Sequence, residues 1–229
     1  MIKKLFITTP TYNGTVHAQY AISLACSIPY LSQAGWQAQF AINAVNTLLV
    51  AARNTAIRNF LESDCSHILM IDSDLGWNGF ELTQMLENDK DFIGGIYPSR
   101  KVANTFIYNP QYADNGGFIG DGSLIKANYI PSGFVLAKRE AIQKMYDHYS
   151  DLAYESKCGY GDKGVLLFNT EVIDGEFWSE DYVFFKRAKD IGLETWIDPR
   201  LTFDHAGVVG GLHLLPEIKN FLASSIKDK

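Results

Sequence analysis

Short continuous apolar runs alternate with stretches of helical periodicity through the first part of the chain. Leu5–Thr9 reads as an apolar strand ending at Pro10. Residues 16–28 follow with Ala18, Ile22 and Ala25 at helical spacing, and Pro29 limits that helix. Gln37–Ile42 is a second strand. A helix beginning near Asn46 carries Leu49, Ala52, Ala56 and Phe60 on one face. The run Ile68–Ile71 is apolar throughout, as expected of a strand covered on both faces. Strand–helix–strand–helix–strand in this order predicts a parallel sheet, whose ligands gather at the carboxyl ends of its strands.

The later pattern is less regular. Phe92–Tyr97, Phe106–Tyr108, Ser123–Ile130 and Phe134–Ala137 read as strands. Between two of them lies a glycine cluster (Gly116, Gly117, Gly120, Gly122) that lacks the Lys-Ser/Thr and strand-to-helix setting of a phosphate loop; it reads as a hairpin turn. Ser179–Ile191 is a helix capped by Ser179 and closed by Gly192. Glu194–Phe203 returns to strand, and Leu215–Ile226 is a terminal amphipathic helix.

Composition narrows the class. The 229 residues carry a net charge of −6 with no basic run longer than Lys3-Lys4, which argues against a nucleic-acid partner. An acidic balance still allows a phosphate ligand, because a metal ion supplies positive charge locally. Cys26, Cys65 and Cys158 are far apart and odd in number, so neither a disulfide framework nor a zinc module is indicated. A reducing, cytoplasmic setting is expected. No segment is apolar over the ~18–20 residues that a membrane span needs, and the N-terminus lacks a signal-peptide pattern.

The candidate chemistry begins at Asp72-Ser73-Asp74, directly after the most apolar strand. In extended backbone, residues two apart project to the same side. Two carboxylates would then converge at the ligand-binding edge, an arrangement that Mg²⁺ or Mn²⁺ takes while keeping positions open for phosphate oxygens. The competing account is a solvated strand end, since Asp is common in turns.

Four segments, in order, resemble the motifs of the family-2-type glycosyltransferases of GT-A fold: Thr9-Pro10-Thr11-Tyr12-Asn13, Ala51–Ala56 (AARNTA), Ile68–Trp77 (ILMIDSDLGW), and Ser179-Glu180-Asp181 with Phe185 and Arg187-Ala188 beyond. The short chain also resembles compact transferases of large DNA viruses and bacteriophages. The resemblance implies an α/β GT-A domain, with residues 1–100 as its nucleotide-sugar-binding half and 101–229 as its acceptor-binding half. Thr9, Pro10, Thr11 and Tyr12 would receive the base and ribose, and Arg53 would lie beside the base or diphosphate. Asp72 and Ser73 would meet the ribose or a metal-bound water. Asp72 and Asp74 would serve Mn²⁺ or Mg²⁺, with His205 as third ligand and His213 as fallback. One segment departs from the family pattern. Where an acidic stretch commonly reads the base, this chain has Ile42-Asn43-Ala44-Val45-Asn46. Asn43 has both donor and acceptor for a base edge; uridine is favoured and guanosine stays open.

Glu180 and Asp181 have two accounts. Acids in a first helical turn favour the positive end of the helix dipole by ~0.3–1 kcal/mol. In the family pattern, Asp181 is instead the general base of inverting enzymes and Glu180 binds acceptor, with Trp178 as a sugar platform. The implied activity is hexosyl transfer from a nucleoside-diphosphate sugar, UDP favoured, to a saccharide or other hydroxyl. Two alternatives remain. One is a haloacid-dehalogenase-like phosphatase or phosphotransferase using Asp72-Ser73-Asp74, although Leu75-Gly76-Trp77 is not that family's continuation. The other is a sugar-nucleotide-binding module without turnover.

Overall fold

In the computed structural model, which describes residues 3–43, 48–98, 108–157, 163–206, 220, 221 and 223, the run Leu5-Phe6-Ile7 divides between two cores. Leu5 and Ile7 pack on one side of a sheet and Phe6 on the other. Ile68 and Met70 join Phe6, while Leu69 and Ile71 join Leu5 and Ile7. Side chains alternate across a strand, so both strands are covered on both faces and sit centrally.

The first half runs β1 (Lys3–Pro10), α1 (Ala18–Gln33), β2 (Trp36–Asn43), α2 (Leu49–Glu62), β3 (His67–Ile71), β4 (Leu75–Trp77), α3 (Gly79–Leu86) and β5 (Phe92–Gly94). There follow β6 (Asn109–Pro110), β7 (Ile125–Tyr129), β8 (Phe134–Lys138), α4 (Arg139–His148), β9 (Ala153–Glu155) and β10 (Lys163–Val165). The chain continues through β11 (Glu171–Ile173), β12 (Glu176–Trp178), α5 (Glu180–Asp190), β13 (Thr195–Ile197) and β14 (Phe203–His205). The main sheet has eight strands in the order β2-β1-β3-β8-β5-β13-β7-β6. Helices α2, α4 and α5 supply Phe60, Met145 and Phe184 to one core, and α1 and α3 supply Tyr20 and Leu82 to the other.

The expected α/β layering is present, but the sheet is mixed. β1, β2 and β3 are parallel, as the strand–helix alternation predicts, whereas β8 enters between β3 and β5 antiparallel to both. That alternation covers only the first three strands and says nothing about the order of later ones. The span 194–203 is also not one strand. β13 stops at buried Asp198, whose carboxylate accepts from the backbone N–H (3.0 Å), Nε (2.8 Å) and Nη2 (2.7 Å) of Arg200 and turns the chain toward β14. The glycine cluster does form a turn, with Tyr112 bridged to Phe118 and Gly116 at φ 79°. Ser179 stands at the N-cap position of α5, but its side chain makes no capping bond. The expected strand start at Phe106 and almost all of the helix 215–226 lie outside the described residues.

Helix α1 departs most from expectation. It runs through Pro29, and the face with Ala18, Ile22 and Ala25 is exposed. Pro29 and Ala25 both lie on the solvent side, where water can serve the carbonyl freed by the missing N–H. The buried face is Tyr20, Ser23, Ser27 and Leu31. Its serines go inward because Trp77 needs partners there: the Trp77 backbone N–H donates to Ser23 Oγ (2.8 Å) and its indole Nε1–H to Ser27 Oγ (2.9 Å). Arg139 performs a similar service for α2. It donates to the carbonyls of Phe60 (2.8 Å), Leu61 (3.2 Å), Ser63 (2.9 Å) and Cys65 (2.6 Å), acceptors at and just beyond the helix C-terminus.

Ser27→Ala removes the acceptor of a buried indole N–H, and such an orphan costs about 1–3 kcal/mol. Urea denaturation is expected to show that loss; an unchanged midpoint would mean that Trp77 has another acceptor.

Candidate functional site

The carboxyl end of β3 does not continue as strand. Asp72–Asp74 is a turn, closed by the Leu75 N–H donating to the Asp72 carbonyl (3.3 Å). The two acids therefore diverge instead of converging as they would in extended backbone. Asp72 Oδ1 faces Arg53 Nη2 (3.4 Å), while Asp74 Oδ2 faces His205 Nε2 (3.7 Å). Among the described residues, no group of three or more His, Cys, Asp or Glu side chains gathers closely enough to hold a cation.

Arg53 is the hub of the first arrangement. α2 carries it inward to 4% exposure, against the solvated position that an isolated helix arginine would take. Its Nη1 donates to the Ser132 carbonyl (2.8 Å) and its guanidinium lies over the Phe168 ring (5.7 Å). Asp72, Glu180 (Nε to Oε1, 3.9 Å) and Asp181 (Nη2 to Oδ1, 4.0 Å) surround it. Burial opposes the charge, but the three carboxylates outweigh burial and hold its pKa above the usual arginine value. Next to it, Asn54 accepts from the Phe168 N–H (2.9 Å) and donates to the Phe168 carbonyl (2.9 Å), fixing the ring beneath Arg53.

Both acids of α5 thus face the end of β3. The Ser132 hydroxyl holds Asp181 Oδ1. Glu180 has its pKa raised, first by burial and then by Asp181, with Arg53 pulling the other way. Tyr97 closes the floor. Its hydroxyl accepts from the Gly133 N–H (3.1 Å), and its pKa stands well above the ordinary phenol value because of burial and then Asp72 and Asp181. Gly133 has to be glycine: a Cβ would lie 2.2 Å from the Tyr97 hydroxyl and 2.6 Å from Asp72 Oδ2.

The second arrangement depends on pairing. β14 lies antiparallel to β4 with His205 opposite Leu75, and the Ala206 N–H donates to the Asp74 carbonyl (3.0 Å). His205 Nδ1 is 2.8 Å from the Pro98 carbonyl. A carbonyl only accepts, so Nδ1 donates to Pro98, which turns Nε2 toward Asp74. A ligating imidazole is oriented in this way. Two ligands each ~2.1 Å from one ion stand at most ~4.2 Å apart, so the Asp74–His205 spacing fits one shared cation.

The remaining predicted residues lie beside these. Thr9 and Thr11 are buried, Thr9 against the Tyr20 hydroxyl (2.6 Å), whereas Tyr12 is 75% exposed past Pro10. The following loop is tied to the acid turn by the His17 N–H, which donates to the Ser73 carbonyl (2.9 Å). Asn43 pairs with Pro10 across β1–β2; its side chain and His213 lie outside the described residues. Trp178 ends β12, immediately before α5. Sequence gives no role to Asn54, which lies inside the AARNTA segment, nor to Tyr97, Ser132 and Gly133; of these three, Ser132 and Gly133 have a visible signal, a Pro-Ser-Gly stretch leading into an apolar strand.

No family model and no curated protein matches the chain. Among solved structures it is similar to A197 from STIV, with 15% identity and a TM-score of 0.55 over 89% of this chain and 85% of that one. It also resembles a Drosophila β-1,4-galactosyltransferase 7 mutant in complex with manganese, UDP-Gal and xylobiose (15% identity, TM-score 0.48, covering 90% and 71%). A third likeness is to a glycosyltransferase involved in glycosylation of the major capsid of PBCV-1 (11% identity, TM-score 0.38, covering 95% and 98%). The likeness to A197 is one of fold, an α/β architecture with a mixed central sheet.

Glu180 yields a pH prediction. Its folded pKa lies above its unfolded value, so the folded state binds the extra proton, and stability falls as pH rises through that window. Glu180→Gln removes this penalty. Its melting temperature relative to wild type is expected to be higher at pH 7 than at pH 4; an equal difference at both would contradict the raised pKa.

Proposed function

We propose that the chain is a metal-dependent glycosyltransferase that moves a sugar from a nucleoside-diphosphate sugar, UDP favoured, to an acceptor hydroxyl with inversion. The observation that carries this reading is the division of one sheet edge into two ends. Asp74 and His205 stand at one, Glu180 and Asp181 at the other, with Asp72 and Arg53 between them.

Asp74 and His205 would hold Mn²⁺ or Mg²⁺, aided by Asp72 through water. When bound, such an ion neutralises the diphosphate oxygens of the leaving group. Exposed Tyr12 offers a face for the base, beside Thr9, Pro10, Thr11 and Asn43. Arg53 does not reach out to the donor. It keeps three carboxylates together at the end of β3. Asp181, steadied by the Ser132 hydroxyl, takes the proton from the attacking acceptor hydroxyl, and Glu180 binds that acceptor. The bond from the acceptor oxygen to the anomeric carbon forms as the bond to the diphosphate breaks, on the opposite face of the sugar.

Removing a general base slows the chemical step and spares donor binding. Asp181→Asn is expected to lose ~10²-fold or more in kcat while UDP and Mn²⁺ affinities in calorimetry stay near wild type. Normal turnover by Asp181→Asn alongside an inactive Glu180→Gln would exchange the two roles. Full activity of both variants would overturn the inverting mechanism.

A further inference from the structure

We infer that the outer face of α1, with the start of α3 and the adjoining part of β2, is a surface on which a second copy of the chain docks about a twofold axis. No Asp, Glu, Lys or Arg occurs between Lys4 and Arg53, although these residues make up 20% of the chain. Within that stretch β1 is buried in the sheet, whereas α1 lies at the surface and β2 is the edge strand.

Ile22 (63% exposed), Ile28 and Tyr30 of α1 stand clear of the core, and the Phe80 ring of α3 lies 6.0 Å from that of Tyr30. Phe40 and Ile42 of β2 are exposed as well. They pair with Ile7 and Thr9 of β1, so they project to the same side of the sheet as Ile7, whose core Tyr20 and Leu31 of α1 close. All six apolar side chains therefore lie on the α1 side of the sheet. The periodicity that brings Ala18, Ile22 and Ala25 together is that of a helix face covered by protein, and here that face is exposed.

Charge decides what covers it. A chain of net charge −6 repels its own copy over most of its surface. In a twofold interface each patch meets the same patch of the other copy, so like charges are avoided only where the patch carries none. The nearby charges are already engaged: Glu81 accepts from the Thr202 N–H (2.7 Å) and hydroxyl (2.8 Å), and Glu87 pairs with Lys3 (3.2 Å). A bilayer is the poorer fit, since an interfacial helix carries Lys and Arg for anionic headgroups and α1 has neither. Phe221, near the end of the chain, packs on Phe118 beside β6, at the opposite edge of the sheet. Size is also sufficient. A face ~24 Å long and two packed helices wide, ~20 Å, has a footprint of roughly 500 Å², so the pair buries the ~1,000 Å² that a specific interface needs.

With the axis near the middle of the exposed helix face, Ile22 and Cys26 each approach their own counterparts. Analytical ultracentrifugation of the full chain over a micromolar concentration series is the test, with circular dichroism as a control for folding. Wild type is expected to sediment as a dimer at the upper end of the series. Ile22→Glu sets like charges across the axis and is expected to weaken the dimer ~10²-fold or more. Ile22→Lys should do the same, and an equal mixture of the two variants should recover the dimer. Cys26 is exposed and free, so a short bismaleimide should join two copies of wild type but not of Cys26→Ser, a readout that leaves the apolar contacts intact. A monomer throughout the series overturns the proposal, as does a dimer that Ile22→Glu leaves unchanged. Monomeric wild type that floats with phosphatidylcholine vesicles, and no longer does so as Ile22→Glu, overturns it in favour of a lipid surface.

Discussion

A single buried cation organises the site. Taking a guanidinium out of water costs several kcal/mol unless it is paired and hydrogen-bonded. Arg53 meets that demand in part: Nη1 and Nη2 bond the Ser132 carbonyl and Asp72, while Glu180 and Asp181 contribute charge at 3.9 and 4.0 Å and the buried Nε makes no hydrogen bond among the described residues. These partners come from the turn after β3, the link before β8 and the first turn of α5, so one side chain of α2 fixes three otherwise separate pieces of backbone. Three carboxylates around one guanidinium leave an excess of negative charge, and after burial the neighbouring Asp181 is the next cause of the raised Glu180 pKa. A divalent cation at the neighbouring Asp74–His205 pair would complement that excess.

The Asp74–His205 pair is itself set from a distance. Ser23 and Ser27 of α1 hold Trp77, and with it β4; β4 pairs with β14, and β14 brings His205 opposite the acid turn. The Pro98 carbonyl then fixes which imidazole nitrogen faces the acid turn. Packing at the outer helix layer thereby reaches the Asp74–His205 pair through two hydrogen bonds and one short strand pair.

How much of this the residues announce depends on whether the interaction is local. The apolar run Ile68–Ile71 and the helical pattern after Ser179 depend on neighbours in sequence, and both elements form where expected. Periodicity does not reveal the inward face of α1, because it weighs Ile22 above Ser23. The decisive fact is a tryptophan fifty-four residues away that needs a hydroxyl. Likewise, Asp72 and Asp74 were legible as important acids, but their divergence follows from a turn that a strand-end reading extends as strand. Arg53 could be named from its motif. Its burial among three carboxylates could not, because the partners come from distant turns and from a helix 127 residues further along. Tyr97 carries no pattern, and the Pro-Ser-Gly stretch at Gly133 marks only a turn; their close approach exists only once β8 has entered beside β3.

The central claim is that Asp74 and His205 share a divalent cation that serves the donor diphosphate. Crystals grown with Mn²⁺ and UDP, with data collected at the manganese absorption edge, test it most directly. The account predicts an anomalous peak ~2.1 Å from an Asp74 carboxylate oxygen and from His205 Nε2, with diphosphate oxygens completing the shell. Manganese bound away from both residues, or UDP bound with no manganese at the acid turn, would contradict it.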